Sequence, residues 1–228
     1  MILCIAEKPS VARDIAKVLG ATTPKNGFME GNGYCVTWTF GHLCTLKEPH
    51  DYSPELKSWN LFSLPIIPKN FGIKLIPNKG VEQQFQVIKQ LVENCDEVIN
   101  CGDAGQEGEL IQRWVLQKAK CQKPVKRLWI SSVTDKAIKD GFRNLKDGKE
   151  YLGLYYSGIA RANADWLVGI NASRALTLKY NASLNCGRVQ TPTLQMVFER
   201  EEKIKQFKPK DYYTFEAQID GVKFSCGN

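Results

Sequence analysis

Two stretches of this chain share one local pattern: a short apolar run rich in branched residues, a tight loop carrying carboxylates, and an amphipathic helix. The first run is residues 1–7 (MILCIAE), broken by Lys8 and Pro9. It is followed by residues 11–19, with Val11, Ile15, Val18 and Leu19 on one helical face. Ser10 is the expected N-cap of that helix and Gly20 its stop. The second run is residues 97–101 (EVINC), with a loop over 102–108 and a helix over 109–120. Apolar runs of this length are strands buried on both faces, and strands alternating with helices predict an α/β fold. The sheet is expected to be parallel or mostly parallel, with helices on both faces. Ligands of such sheets sit beyond the carboxyl ends of the strands, which puts Glu7 and Asp103 at one edge.

The remaining pattern fills in around these units. Residues 34–40 (YCVTWTF) read as a strand, residues 47–80 as a loop-dominated insertion, and residues 81–93 as a helix. A strand over 127–130 leads to a cap at Thr134 and a helix through Leu145. Trp38 and Trp129 then fall in strands and are expected in the core. After about Gly148 the texture changes. Residues 151–180 make one long helix or two short ones, and 189–207 another. Residues 211–225 alternate like a strand and turn at Asp220-Gly221. Its short return arm before Asn228 gives the expectation of a chain cut from a longer one.

The 228 residues are 43% hydrophobic and 24% charged, enough apolar material for a core and too much for a mainly disordered chain. No run approaches the ~20 apolar residues of a membrane span, and no secretory core opens the chain. The eight cysteines form no Cys-x-x-Cys pair, which argues against a thiolate zinc site. Reduced, mostly buried thiols in a cytoplasmic protein are the expectation. Net charge is +7, unevenly spread. Residues 1–110 carry 10 lysines and arginines against 13 acids, and residues 111–228 carry 21 against 11. A polyanion-binding surface beside an acidic site explains this asymmetry, and so does ordinary solvated surface; charge alone does not separate them.

The chemistry concentrates in two loops. Asp103-Ala104-Gly105-Gln106-Glu107-Gly108-Glu109 sets three carboxylates among glycines at a strand end. Hard cations such as Mg²⁺ take oxygen ligands and keep several waters, so this loop suits one. It would equally suit an acid-rich helix start. Glu7-Lys8 at the same edge adds a carboxylate that neighbouring acids would tune toward proton transfer, and a cation suited to a phosphate.

These residues resemble a known family. A first strand ending in Glu7-Lys8-Pro9-Ser10, with an acidic loop 96 positions later, is similar to the Toprim domain of type IA DNA topoisomerases, most nearly their topoisomerase III branch. Thr39-Phe40-Gly41-His42-Leu43 resembles that branch's strand-ending Gly-His-Leu. Arg161, Asp165, Leu167 and Gly169 fit its Arg-x-x-x-Asp-x-Leu-x-Gly helix. Gly187-Arg188-Val189-Gln190-Thr191-Pro192 matches its Gly-Arg-Val-Gln-Thr-Pro signature. The resemblance implies a Toprim domain over 1–148 and the start of a helical DNA-binding domain over 149–228. It implies Mg²⁺, a single-stranded DNA segment as substrate, and a tyrosine that cuts one strand through a 5′-phosphotyrosyl link without ATP. By the same resemblance, Glu7 and Lys8 are catalytic, and Glu7, Asp103 and Glu107 are metal-binding. His42, Arg161, Asp165, Arg188, Gln190 and Thr191 are DNA-binding. A partner helicase is left unspecified.

Two departures matter. Gly105 stands where the family's acidic motif has its middle Asp, with Glu109 as a possible substitute, so the metal is expected mainly on Glu7 and Asp103. No Tyr-x-Arg-Thr-Asp motif occurs among the eight tyrosines, so the nucleophile is expected beyond Asn228, and this stretch alone should not nick DNA. The rival readings are another Toprim enzyme, primase-like or nuclease-like, and a DNA-binding module without catalysis. The Gly187–Pro192 segment separates the first rival, and a metal requirement the second.

Overall fold

The computed structural model describes residues 1–225. Cys226 lies outside them. The first unit, Met1–Cys186, is built on a seven-stranded sheet. In chain order it contains β1 (Ile2–Ala6), α1 (Pro9–Leu19), β2 (Thr23–Lys25), β3 (Phe28–Gly31), β4 (Tyr34–Trp38), β5 (Cys44–Leu46) and α2 (Pro49–Tyr52). There follow β6 (Ile73–Leu75), α3 (Lys79–Asn94), β7 (Glu97–Cys101), α4 (Gln106–Lys118), β8 (Val125–Arg127), α5 (Asp135–Arg143), β9 (Lys146–Asp147) and α6 (Leu152–Tyr180). The large sheet runs β2-β3-β4-β1-β7-β8-β9. Its four central strands are parallel, and hairpin partners close both edges antiparallel. The mostly parallel α/β sheet read from the sequence is present.

The alternation of β1 splits the core in two. Leu3 and Ile5 face Val81, Phe85 and Ile88 of α3 and Leu110 and Trp114 of α4. Cys4 and Ala6 face Ala12, Ile15 and Ala16 of α1 and Ile138 of α5. Helices therefore cover both faces, which is why β1 and β7 read as continuous apolar runs.

Several boundaries differ from the sequence reading, each for a local reason. The N-cap of α1 is Lys8, extended at φ −137° and ψ 148°, not Ser10. Pro9 takes the first helical position, where its fixed φ and missing N–H cost nothing. Gly20 stops the helix as expected, at φ 75°. β4 ends at Trp38, and the N–H groups of Thr39 and Gly41 beyond it still donate to the carbonyls of Ala6 and Glu7. α4 begins three residues early, at Gln106. β8 ends where the expected strand began, so Trp129 lies outside it, 41% exposed and stacked on Tyr151 rather than in the core. Thr134 caps α5 as expected, accepting from the Ala137 N–H. Strands β2, β3, β5 and β9 escaped the sequence reading because they are two to four residues long.

Residues 152–180 form the single helix α6 after a 3-10 turn over Gly148–Tyr151. The second unit, Gly187–Asn228, holds α7 (Gln190–Lys205) and the hairpin β10 (Glu216–Ile219) and β11 (Val222–Ser225). Its turn residues Asp220 and Gly221 have φ 48° and 80°, the left-handed pair a two-residue hairpin loop requires. Neither α7 nor the hairpin contains a buried residue. Among the described residues, no helix is long and apolar enough to cross a membrane.

Candidate active site

β1 and β7 are hydrogen-bonded neighbours in parallel register, Ala6 opposite Cys101. The chain therefore leaves both strands at one edge, and Glu7 and Asp103 emerge side by side. Glu7 is 8% exposed, and its Oε2 accepts from the Asp103 backbone N–H at 3.2 Å. Lys8 donates from Nζ to Asp103 Oδ2 at 2.8 Å and lies 3.9 Å from Glu7 Oε1. The hydrogen bond to Asp103, its charge and that of Glu7 hold the Lys8 ammonium above its ordinary pKa. One cation is thus suspended between two carboxylates at the exit of the sheet.

The acidic loop is held from beneath by Arg127. This guanidinium is fully buried and donates to the backbone carbonyls of Asn100, Gly102, Asp103 and Leu128. Its Nε meets Glu109 Oε2 at 2.9 Å. Glu109 also accepts from Arg113 at 2.6 Å and from Asn100 at 3.2 Å, and it is buried. Glu109 therefore does not substitute for the missing middle acid; both of its oxygens belong to the scaffold. Sequence reading missed Arg127 and this role of Glu109. The available signal was an arginine inside the apolar stretch 125–130.

A second cluster lies alongside. His42 Nε2 bonds Glu107 Oε1 at 2.6 Å, Arg161 Nη1 approaches Glu107 Oε2 at 3.8 Å, and Arg161 Nε lies 3.8 Å from Asp165 Oδ2. With Leu110, Trp114, Gly158 and Ala162 they line a cavity of about 130 Å³ between α4 and α6. Gln106 at the start of α4 reaches Ser157 of α6 at 2.5 Å. The fold thus brings together Glu7, Lys8 and Asp103 in one group, and His42, Glu107, Arg161 and Asp165 in another. Arg188, Gln190 and Thr191 stand in the second unit at the start of α7, where Gly187 N–H donates to Thr191 Oγ1 at 3.0 Å.

The donors suit a hard divalent ion in part. Glu7 and Asp103 offer two carboxylates around one point that an ammonium now bridges, the oxygen chemistry Mg²⁺ prefers. Glu107 is turned instead to His42 and Arg161, and no group of three potential ligands converges among the described residues. A two-carboxylate site completed by water is what this arrangement fits.

A parallel sheet that gathers two acids and a lysine at adjacent strand ends, with an acid-bearing helix beside them, is the architecture of a Toprim domain. Residues 2–133 match the Toprim domain family, and the chain belongs to it. Residues 149–226 match the DNA topoisomerase family. Among curated relatives, the DNA topoisomerase 3 of Bacillus licheniformis is 56% identical over 220 residues, and that of Bacillus subtilis 54% identical over 220. Each alignment covers 96% of this chain and 30% of the relative, so the chain spans under a third of their length. The full-length topoisomerase I of Thermotoga maritima superposes with a TM-score of 0.66 at 24% identity, over 98% of this chain and 34% of that one. That likeness is one of fold.

Proposed function

We propose that this chain is the acid-bearing and strand-holding part of a type IA DNA topoisomerase, an ATP-independent isomerase of the cytoplasm that acts on the nucleoid. The reading rests above all on the Lys8 ammonium held between Glu7 and Asp103 at one sheet edge. A tyrosine oxygen, supplied by residues outside these 228, attacks a backbone phosphorus and releases its phenolic proton to water. The P–O3′ bond breaks, and Glu7 gives its proton to the departing 3′ oxygen; resealing runs the transfer backward. Lys8 exchanges Asp103 for a phosphate oxygen and steadies its charge. Mg²⁺, when bound, would be held by Glu7 and Asp103 and would supply further stabilisation of phosphate charge; Glu107, the third family acid, would join them only on leaving His42 and Arg161. His42, Arg161 and Asp165 would line the path of a single strand, with Arg188, Gln190 and Thr191 as further strand-holding residues.

The match of residues 149–226 favours this reading over a primase-like or nuclease-like enzyme. In a full-length protein containing this chain, Glu7→Gln should slow strand cleavage by about 10²–10⁴-fold with DNA affinity unchanged, the usual contribution of positioned proton transfer. Normal cleavage with weakened binding would remove Glu7 from the chemistry.

A further inference from the structure

The basic excess of the chain does not follow the Arg188 segment. Residues 111–150 carry eleven lysines and arginines against four acids, whereas residues 151–228 carry ten against seven. Part of the first group converges on a cleft of about 570 Å³ formed by the loop before β8, the strand β9 and the 3-10 turn Gly148–Tyr151. Lys123, Lys126, Lys146 and Lys149 line it together with Glu97 and Asp147. Glu97 is neutralised by Lys126 at 3.1 Å. Asp147 is turned into its own backbone, accepting from the Lys149 N–H at 2.8 Å. Lys146 and Lys149 form no ion pair among the described residues. Lys123 feels the carboxylate of Asp96, which is itself paired with the amino terminus. The lining of the cleft therefore carries four ammonium groups, on Lys123, Lys126, Lys146 and Lys149, against the two carboxylates of Glu97 and Asp147.

Its floor is fixed. Arg113 Nη2 donates to the Gly148 carbonyl at 2.5 Å, while its Nε is anchored on buried Glu109. Its place is the amino edge of the sheet, where β7 and β8 begin at Glu97 and Val125. The five residues of β7 separate this edge from the Asp103 loop, roughly 16 Å at the rise of a strand. A phosphate held between Glu7 and Asp103 cannot also be held here.

From this placement we infer that the cleft is a second nucleic-acid site, which takes the sugar-phosphate backbone of double-stranded DNA. Lysines act as point-charge partners for phosphates. Sites for single strands add aromatic platforms on which bases stack, and no aromatic residue lines this cleft. The chemistry on offer reads charge and not bases, as a duplex flank requires. The inference rests on the proposed function in taking DNA as the partner.

The test is a fluorescence-anisotropy titration of the 228-residue chain against a labelled duplex and a labelled single strand of equal length, across a salt series. The triple variant Lys123→Gln, Lys146→Gln, Lys149→Gln should weaken duplex binding and flatten its log–log salt slope by about 2 to 3, near 0.9 for each phosphate no longer neutralised. Its single-strand binding should stay close to that of the parent chain. The triple arginine variant at the same positions should keep the slope, which separates charge from damage to the fold. Unchanged duplex binding in the glutamine variant overturns the inference and leaves the proposed function standing. Poly-glutamate of equal charge competing as well as the duplex also overturns it, because the occupant would then be an acidic protein. If the parent chain binds neither DNA, the proposed function falls, and this site falls with it.

Discussion

Arg127 shows how much of the site depends on a residue buried beneath it. It is fully buried, and burial pulls its pKa down while the Glu109 carboxylate pulls it back up. Arg127→Met would leave Glu109 with one of its cations gone and the carbonyls of Gly102 and Asp103 unpaired. A cost of about 3–5 kcal/mol is expected in urea unfolding, as for breaking a buried pair from one side. Arg127→Lys keeps the charge but not the fork, and should cost less while still loosening Asp103. Gly105 supplies the opposite experiment. Its backbone is extended, at φ 173° and ψ 172°, and a Cβ there meets nothing within 4 Å. Gly105→Asp should therefore fold normally and tighten Mg²⁺ binding measured by calorimetry, whereas Asp103→Asn should weaken it. Equal affinity in all three proteins would remove the metal from this edge. Cys44 makes a pH prediction. Burial pushes its thiol up to about 11, so the folded chain holds a proton that the unfolded chain releases near the ordinary value of 9.0. Stability from this group is complete below pH 9 and is lost as pH rises toward 11. Melting temperature should fall across that window, and less so in Cys44→Ala. At this scale the meeting of Glu7 and Asp103 was legible, because adjacent parallel strands ending in acids must deliver them to one edge. Arg127 and Glu109 were not, because a charge that will be buried looks in sequence like one that will be solvated.

Among the elements, α4 carries the sharpest constraint. A Cβ on Gly108 would stand 2.2 Å from the Asp103 carbonyl oxygen and 2.8 Å from its nitrogen. The first turn of the helix is thus packed directly against the acid-bearing loop. Gly108→Ala should destabilise by about 1–3 kcal/mol, as overpacking does, and should displace Asp103 from Lys8. A chemical-shift or metal-affinity change at Asp103 with stability intact would separate the two effects. Thr134→Ala tests an element end foreseen from sequence. Losing the bond to the Ala137 N–H should cost about 1 kcal/mol, read from the denaturant midpoint. Elements of five or more apolar or amphipathic residues were readable to within a few positions, since burial imposes its period on them. The short strands β2, β3 and β9 were not, because two to four residues carry too little periodicity and tertiary pairing alone makes them strands.

At the scale of the molecule, buried apolar area is divided unequally between the two units. The first contains both buried clusters, with β1 shared between them. The second contributes no buried side chain from α7 or its hairpin, and leaves Leu194, Met196, Val197 and Phe198 more than half exposed. Burial of apolar area is the dominant favourable term in folding, so a segment that buries none adds little to the cooperative transition. A chain ending at Cys186 should therefore melt within a few degrees of the whole, since about 1 kcal/mol moves the midpoint of a domain this size by roughly 2–4 °C. Its single-strand affinity should fall, because Arg188, Gln190 and Thr191 leave with the second unit. Arg188→Ala in the intact chain should reproduce part of that fall and flatten the single-strand salt slope by about 0.7, the share of one neutralised phosphate. Calorimetry of the shortened chain beside a salt-dependent binding titration decides it. A midpoint lowered by tens of degrees would make the second unit part of the core, and unchanged single-strand affinity would move strand holding onto the His42 and Arg161 cluster alone.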